Sequence, residues 1–205
     1  MKTGPKYKIC RRLGDKVFSK CQTTKFTISG TNRKKQGKRR SNVSEYGTQL
    51  LEKQKAKYTY GLSEKQFSNY VKKVKKHQRK ESSPTQELYQ LLESRLDNII
   101  FRSGLVNSRM FARQIVSHGH IMVNGRKVTI PSCKLKVGDK FSIRPQSKDK
   151  KLFSFFEDNK KDYQEPEWIS FDSDKMEGEI KGNSVFADNI SGLNLQSILE
   201  FYSRI

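Results

Sequence analysis

Arg109 and Arg113 stand four residues apart in the stretch SRMFARQIVSHGHIMVNGRKV, residues 108–128, and Arg126 and Lys127 follow an Asn124-Gly125 pair within it. Side chains four apart on a helix share a face. A guanidinium also presents a planar fork that meets two phosphate oxygens at once, which a lysine cannot do. Arg102 lies just upstream, at the end of the preceding apolar run. One arginine alone is most often a solvated charge, but this many on one short structured unit point to a grip on the backbone of folded RNA. His118 and His120 have no carboxylate near them in the sequence, and the chain holds only three histidines. That speaks against a catalytic triad or a zinc site. With Asn124 they read as hydrogen-bonding groups beside RNA, or as caps, since His118 would sit at a helix C-terminus where a cation is favoured.

The elements that must position these groups are predicted by local signals. Ser108 caps a short helix in which Phe111 pairs with Ile115 and Ala112 with Val116, and Gly119 ends it. The runs IMV and RKV flank Asn124-Gly125, the strongest short hairpin signal. A turn at Gly138-Asp139 precedes a strand with Phe141 and Ile143 on one face. Upstream, Ser83, Pro84 and Gln86 start a helix whose core face is Leu88, Leu91, Leu92, Leu96 and Ile99, running to Gly104. Ser44 caps an earlier helix with Tyr46, Leu50, Leu51 and Tyr58 along one side and Gly61 as its stop. Ser63 and Gln66 form the capping box of the next, with Phe67, Tyr70, Val71 and Val74 as its buried stripe. The fold class expected is α+β. It comprises a basic arm over 1–43, a helical domain over 44–86 completed by 187–205, and a helix–helix–hairpin RNA-binding module over 87–186 with appended acidic strands.

Charge is distributed unevenly. Residues 1–82 carry 24 Lys+Arg and 5 Asp+Glu, a net of +19, whereas residues 151–205 carry 6 and 11, a net of −5. The chain as a whole is at +21 with a pI near 9.9, which points to a polyanionic partner. Basic residues spread through the first 82 positions suit nucleic acid better than a membrane surface, where one amphipathic helix would concentrate them. Candidate RNA contacts are accordingly Lys6, Lys8, Arg11, Arg12, Arg39 and Arg40 in the arm, Lys53 and Lys55 on the first long helix, and Lys72 and Lys73 on the second. With few apolar anchors, the arm is expected to order only on a partner. No run of eighteen apolar residues exists, and the N-terminal MKTGPKYKICRRLG offers no signal-peptide core. Three cysteines without framework spacing suit a reducing compartment. The acidic last quarter keeps too many large apolar groups for disorder, and LNLQSILEFY reads as a short amphipathic helix packing back on the N-terminal helices.

Three stretches, SRLDNIIFRSG, SRMFARQIVSHGHIMVNGRKVTIPS and VGDKFSIR, resemble the RNA-binding module named after small-subunit ribosomal protein four. Pseudouridine synthases, tyrosyl-tRNA synthetases and a ribosome-rescue protein also carry that module. Outside it, GPKYKICRRLG, SEYGTQLLEKQKAKYTYGLSEKQFSNYV, PEWISFDSDKMEGEI and ILEFYSR are similar, in the same order, to the ribosomal protein family itself in its bacterial or organellar form. The resemblance implies a primary binder of small-subunit ribosomal RNA at a junction of the 5′ domain, which nucleates assembly and influences decoding accuracy. It also implies ribosomal proteins five and three as neighbours and a place beside the path by which mRNA enters. The compartment implied is the bacterial cytoplasm or an organelle, plastid or mitochondrion.

The chain departs from the family in two places. Some members hold zinc near the N-terminus through four cysteines, and only Cys10 and Cys21 occur here, so neither metal nor cofactor is expected. A Pro-Gly-Gln-His run common in the family is replaced by SGTNRKKQGKRR. Two other functions compete. The triplet Arg95-Leu96-Asp97 matches the motif of a pseudouridine synthase class, but Leu96 belongs to a leucine stripe and no length remains for a catalytic domain. A free RNA chaperone or rescue factor using the same module would lack the long N-terminal helices.

Overall fold

Part of the expected arm is folded in the computed structural model. Residues Lys6–Leu13 form a helix, α1. A one-turn 3-10 helix at Ser19–Cys21 follows, and Cys10, Phe18, Cys21 and Phe26 bury one another with Ile9, Val17 and Tyr58 around them. The apolar anchors are few, but two phenylalanines and two thiols suffice once they converge. Asp15 adds an ion pair to Lys55 at 2.8 Å. The expectation of an arm without its own structure is therefore corrected for this part. The structure describes residues 3–23, 26, 44–76, 83–148, 153, 164–186 and 192–204, so Arg39, Arg40 and the SGTNRKKQGKRR stretch lie outside the described residues. The chain divides into two units, 1–85 with 187–205, and 86–186.

In the first unit α2 spans Glu45–Thr59, its start fixed by Ser44 Oγ accepting from the Gly47 N–H. α3 spans Glu64–Lys76 behind a reciprocal Ser63–Gln66 box, and Phe67, Val71 and Val74 are its buried stripe. α7 (Leu195–Ser203) begins at Asn194, whose side chain accepts from the Ser197 N–H, and packs on α2 and α3. This packing overturns the face expected for α2. Tyr46 is 51% exposed, while Gln49, Lys53 and Ala56 are buried. Lys53 is the informative case, only 7% exposed. Its ammonium donates to Glu64 at 2.9 Å and sits 4.5 Å from the Phe201 ring centroid. A buried ammonium must be paired, so Lys53 is committed to the interior, and its expected role as an RNA contact is withdrawn. Lys75 likewise donates to the Tyr202 carbonyl at the end of α7.

Glu64 also accepts from Lys57 and from the Tyr202 hydroxyl. Burial alone would raise its pKa, but the hydrogen bonds from Lys53, Tyr202 and Lys57 outweigh it and hold the carboxyl below its ordinary 4.5. A carboxylate depressed in the folded state stabilises above its unfolded pKa, and that contribution fades as pH falls through the folded value. Glu64→Gln should therefore melt lower than the parent at about pH 7 yet lose less on going to about pH 3. Equal acid-induced losses in circular-dichroism melts of the two proteins would rule this out.

The second unit holds α4 (Pro84–Glu93), α5 (Leu96–Arg102) and α6 (Arg109–Ser117) over a five-stranded antiparallel sheet. Its strands are β1 (Ile121–Val123), β2 (Arg126–Lys127), β3 (Lys140–Ile143), β4 (Ile169–Asp172) and β5 (Glu177–Ile180), in the order β2-β1-β3-β5-β4. The single helix expected over 84–103 is broken at Ser94-Arg95. There the backbone turns extended, with Arg95 at φ −72° and ψ 139°, and pairs with the 131–135 segment. The Leu135 N–H donates to the Ser94 carbonyl, and the Leu96 and Asp97 N–H groups donate to the Cys133 and Pro131 carbonyls. Gln86, near the start of α4, also makes a long-range contact. Its amide clasps the far end of the unit, donating to the Ser184 carbonyl and accepting from the Phe186 N–H, both at 2.7 Å. Leu96, Ile99, Ile100, Ile115 and Val116 from the helices meet Ile121, Phe141, Ile143, Ile169 and Ile180 from the sheet in one core. Among the described residues, no helix is long and apolar enough to cross a membrane.

Candidate nucleic-acid interface

The break between α4 and α5 places two carboxylates inside the protein, and these orient the arginines. Asp97, in the first turn of α5, is 2% exposed. It accepts from Arg95 through Nε at 2.9 Å and Nη2 at 2.6 Å, and from Arg113 on α6 through Nε at 3.1 Å and Nη2 at 2.8 Å. Glu93, fully buried at the end of α4, accepts from Arg102 through Nε at 2.9 Å and Nη2 at 3.1 Å. Asn98 links the two halves, donating to Glu93 at 2.9 Å while its oxygen accepts from Arg109 Nε at 2.6 Å. The Arg109 guanidinium lies over the Phe101 ring, 4.4 Å from the centroid.

Three guanidiniums thus share two carboxylates and a fourth rests on a neutral amide, which leaves a surplus of positive charge fixed in position. A side chain held by two parallel hydrogen bonds has given up its rotamer freedom before any ligand arrives, so binding costs it less entropy. Arg102, Arg109 and Arg113 are each half-buried, and the Arg102 and Arg113 side chains keep 26% and 23% of their surface exposed. Arg113 shares a buried carboxylate, so its removal would disturb folding as well as binding.

The hairpin continues the basic surface. Asn124 at φ 48° and Gly125 at φ 76° make the turn, both in the left-handed region that a two-residue primed hairpin turn demands. Arg126 and Lys127 on β2 are exposed. Lys127 folds its stem over Gly119 and leaves no room there for a Cβ, which brings its ammonium to the C-terminal end of α6. From Arg109 to Ser117 the helix covers about 12 Å at roughly 1.5 Å per residue.

The Asn124 amide also braces the turn. Its Nδ2 donates to Asp139 and its Oδ1 accepts from the Lys140 N–H, each at 2.9 Å. The residue is exposed and stays among the candidate contacts. The backbone N–H of Lys136, then Asn124, hold the Asp139 carboxyl below its ordinary range against the upward push of burial. His118 is exposed and His120 half-buried, with the His120 Nδ1 2.9 Å from Ser147 Oγ.

In the first unit Lys8, Arg11 and Arg12 are exposed on α1, as are Lys72 and Lys73 on α3. Lys6 lies over the Phe18 ring, and Lys55 is tied to Asp15. The groups that sequence reasoning missed are Glu93, Asp97 and Asn98. Their signal was polar residues recurring on a helix face otherwise read as apolar.

Asp97, the residue a pseudouridine synthase would use, is saturated by two arginines and closed to solvent. Among the described residues no three His, Cys, Asp or Glu side chains cluster as a metal would need. Burial, with a hydrogen bond to Cys10, pushes the Cys21 thiol up to about 11, which favours its neutral form over a thiolate ligand.

A helix pair and hairpin sheet, carrying arginines pre-set by buried carboxylates, define an RNA-binding module joined to a basic helical unit. Comparison with known proteins agrees. Residues 1–93 match the family described as the ribosomal protein S4/S9 N-terminal domain, and residues 94–141 match the S4 domain. The small ribosomal subunit protein uS4 of Halothermothrix orenii is 39% identical over 206 residues, covering 98% of each chain. That of Christiangramia forsetii is 41% identical over 206 residues, again covering 98% of each. That of Syntrophomonas wolfei is 40% identical over 202 residues, covering 95% of each. The chain belongs to the small ribosomal subunit protein uS4 family, whose members are structural proteins of the ribosome and not enzymes.

Proposed function

We propose that this protein is a structural constituent of the small ribosomal subunit that binds its ribosomal RNA. Arg102, Arg109, Arg113, Arg126 and Lys127 grip the RNA backbone, and His118, His120 and Asn124 stand beside it. Lys8, Arg11, Arg12, Lys72 and Lys73 supply the wider electrostatic field, with Lys6 and Lys55 as weaker contributors because each is engaged within the protein. The observation that carries the reading is the pairing of buried Glu93 and Asp97 with arginines that still reach the surface. An interior charge of this kind is costly, and orienting cations toward a polyanion is a use that fits the net charge. Binding at a 5′-domain junction, nucleation of assembly and influence on decoding follow from the family resemblance. Quantifying the protein in salt-washed small subunits tests the assignment. One copy per subunit is expected, and recovery only in ribosome-free fractions would overturn it.

Strands β4 and β5 bring the acidic charge. Asp172 and Glu177 are exposed, Glu179 half-buried, and Glu179 reaches Lys140 only at 3.9 Å. Phosphate would be repelled there, so this side of the sheet suits a basic protein, and the resemblance names ribosomal protein five. Ribosomal protein three and mRNA near the path by which it enters are the further neighbours it implies. The charge reversals Glu177→Lys and Glu179→Lys should leave affinity for isolated RNA equal or slightly higher, while loosening the protein–protein association and changing misreading in a translation assay. A marked fall in RNA affinity with normal accuracy would show the two faces to be exchanged.

A further inference from the structure

A recess of about 330 Å³ opens in the 86–186 unit, between the 134–137 segment and the residues that follow β5. Trp168, the only tryptophan in the chain, lines it half-buried over an apolar floor that includes Leu135. Val137, also in the lining, is 53% exposed. Lys134 and Lys136 line it too and are exposed, as is Asn183. Among the described residues no carboxylate is in the lining, although the part of the chain that supplies Trp168 and Asn183 is acidic overall. The larger hollow on the open face of the sheet mixes Asp172, Glu177 and Glu179 with Lys140, Lys148 and Lys175, so only the smaller recess has a lining whose charged groups are all cationic.

An indole ring, two ammonium groups and a carboxamide around a small apolar recess are the set that recognises a nucleotide. Every base has a π-face that stacks on an aromatic side chain, a lysine pairs with phosphate, and an amide can bond a base edge. The volume lies at the low end of the roughly 300–1,000 Å³ typical of small-ligand sites, right for one nucleotide and too small for a helix.

We propose that this recess holds one unpaired nucleotide of the bound RNA, with its base against Trp168 and its phosphate beside Lys134 and Lys136. The inference rests on the RNA-binding reading above and adds a second, base-stacking site to the arginine grip. It also supplies a means of blocking the site. Gly182 lines the recess, and a Cβ built there meets nothing within 4 Å, so Gly182→Leu can fill the space without a backbone clash.

The full-length protein should be titrated with transcribed small-subunit ribosomal RNA while Trp168 emission and filter retention of labelled RNA are followed in parallel. Stacking should quench most of the emission at saturation. Gly182→Leu, with melting unchanged, should bind about tenfold more weakly and show no quench. Should that variant fail to fold, Val137→Glu, at the exposed position, should weaken binding by a similar factor through charge. RNA retained on the filter with emission unchanged overturns the nucleotide site and leaves the RNA-binding reading standing, whereas no retention overturns both. Quenching by polyglutamate but not by RNA would assign the recess to an acidic protein partner instead.

Discussion

Asp97→Ala is expected to lower the melting temperature of the 86–186 unit by more than about 10 °C, the largest effect of any single substitution near the interface. The carboxylate is 2% exposed and accepts four hydrogen bonds from two guanidiniums. One of these belongs to Arg95, itself 2% exposed. Removing one member of a buried ion pair leaves the other charge desolvated and unmatched, which costs about 3–5 kcal/mol. For a unit of this size each kcal/mol corresponds to roughly 4–8 °C. Asp97→Asn keeps an acceptor oxygen but not the charge, so it should fall between the parent and the alanine variant. Arg113→Ala should cost less than either, because Arg95 still neutralises the carboxylate. Calorimetry on the four proteins gives the ranking. If Asp97→Ala melted within about 2 °C of the parent, the pair would be a surface ion pair of little consequence and its role as a brace would be refuted.

How much of this was legible beforehand depended on how local each signal was. The caps at Ser44, Ser63 and Ser108 and the Asn124-Gly125 hairpin were readable because the chemistry that fixes them lies within three or four residues. The strand carrying Phe141 and Ile143 was readable for the same reason, through its alternation. The helix break at Ser94-Arg95 was not, because the segment that takes over its backbone hydrogen bonds lies some forty positions downstream, at 131–135. Nor was the burial of Lys53, which depends on Glu64 and on Phe201 of α7, almost 150 positions away. The clasp of Gln86 on Ser184 and Phe186 was hidden for the same reason, its partners lying about 100 positions away. The arginines at the interface were found by residue type and spacing. What held them was hidden, because an acidic residue on an apolar helix face resembles a fault in the pattern until its partner is known.

That brace decides which substitutions report on RNA binding alone. Arg102 and Arg113 each neutralise a buried carboxylate, so removing either mixes a folding defect with a binding one. Arg109 is held by a neutral amide and an aromatic ring, and its removal strands one oxygen of Asn98, worth about 1 kcal/mol. Arg126 and Lys127 are exposed on β2. The triple variant Arg109→Ala, Arg126→Ala, Lys127→Ala should therefore stay folded and melt only a few degrees lower. Each phosphate that is no longer neutralised takes about 0.7–0.9 off the slope of log affinity against log salt, so three should flatten it by roughly 2 to 3. At physiological ionic strength the affinity for small-subunit ribosomal RNA should fall by about 100-fold or more, and the deficit should shrink as salt is raised. Filter binding at several salt concentrations measures both quantities. An unchanged slope would mean that these three side chains touch no phosphate and that the grip lies on the lysine face of α3 or on α1.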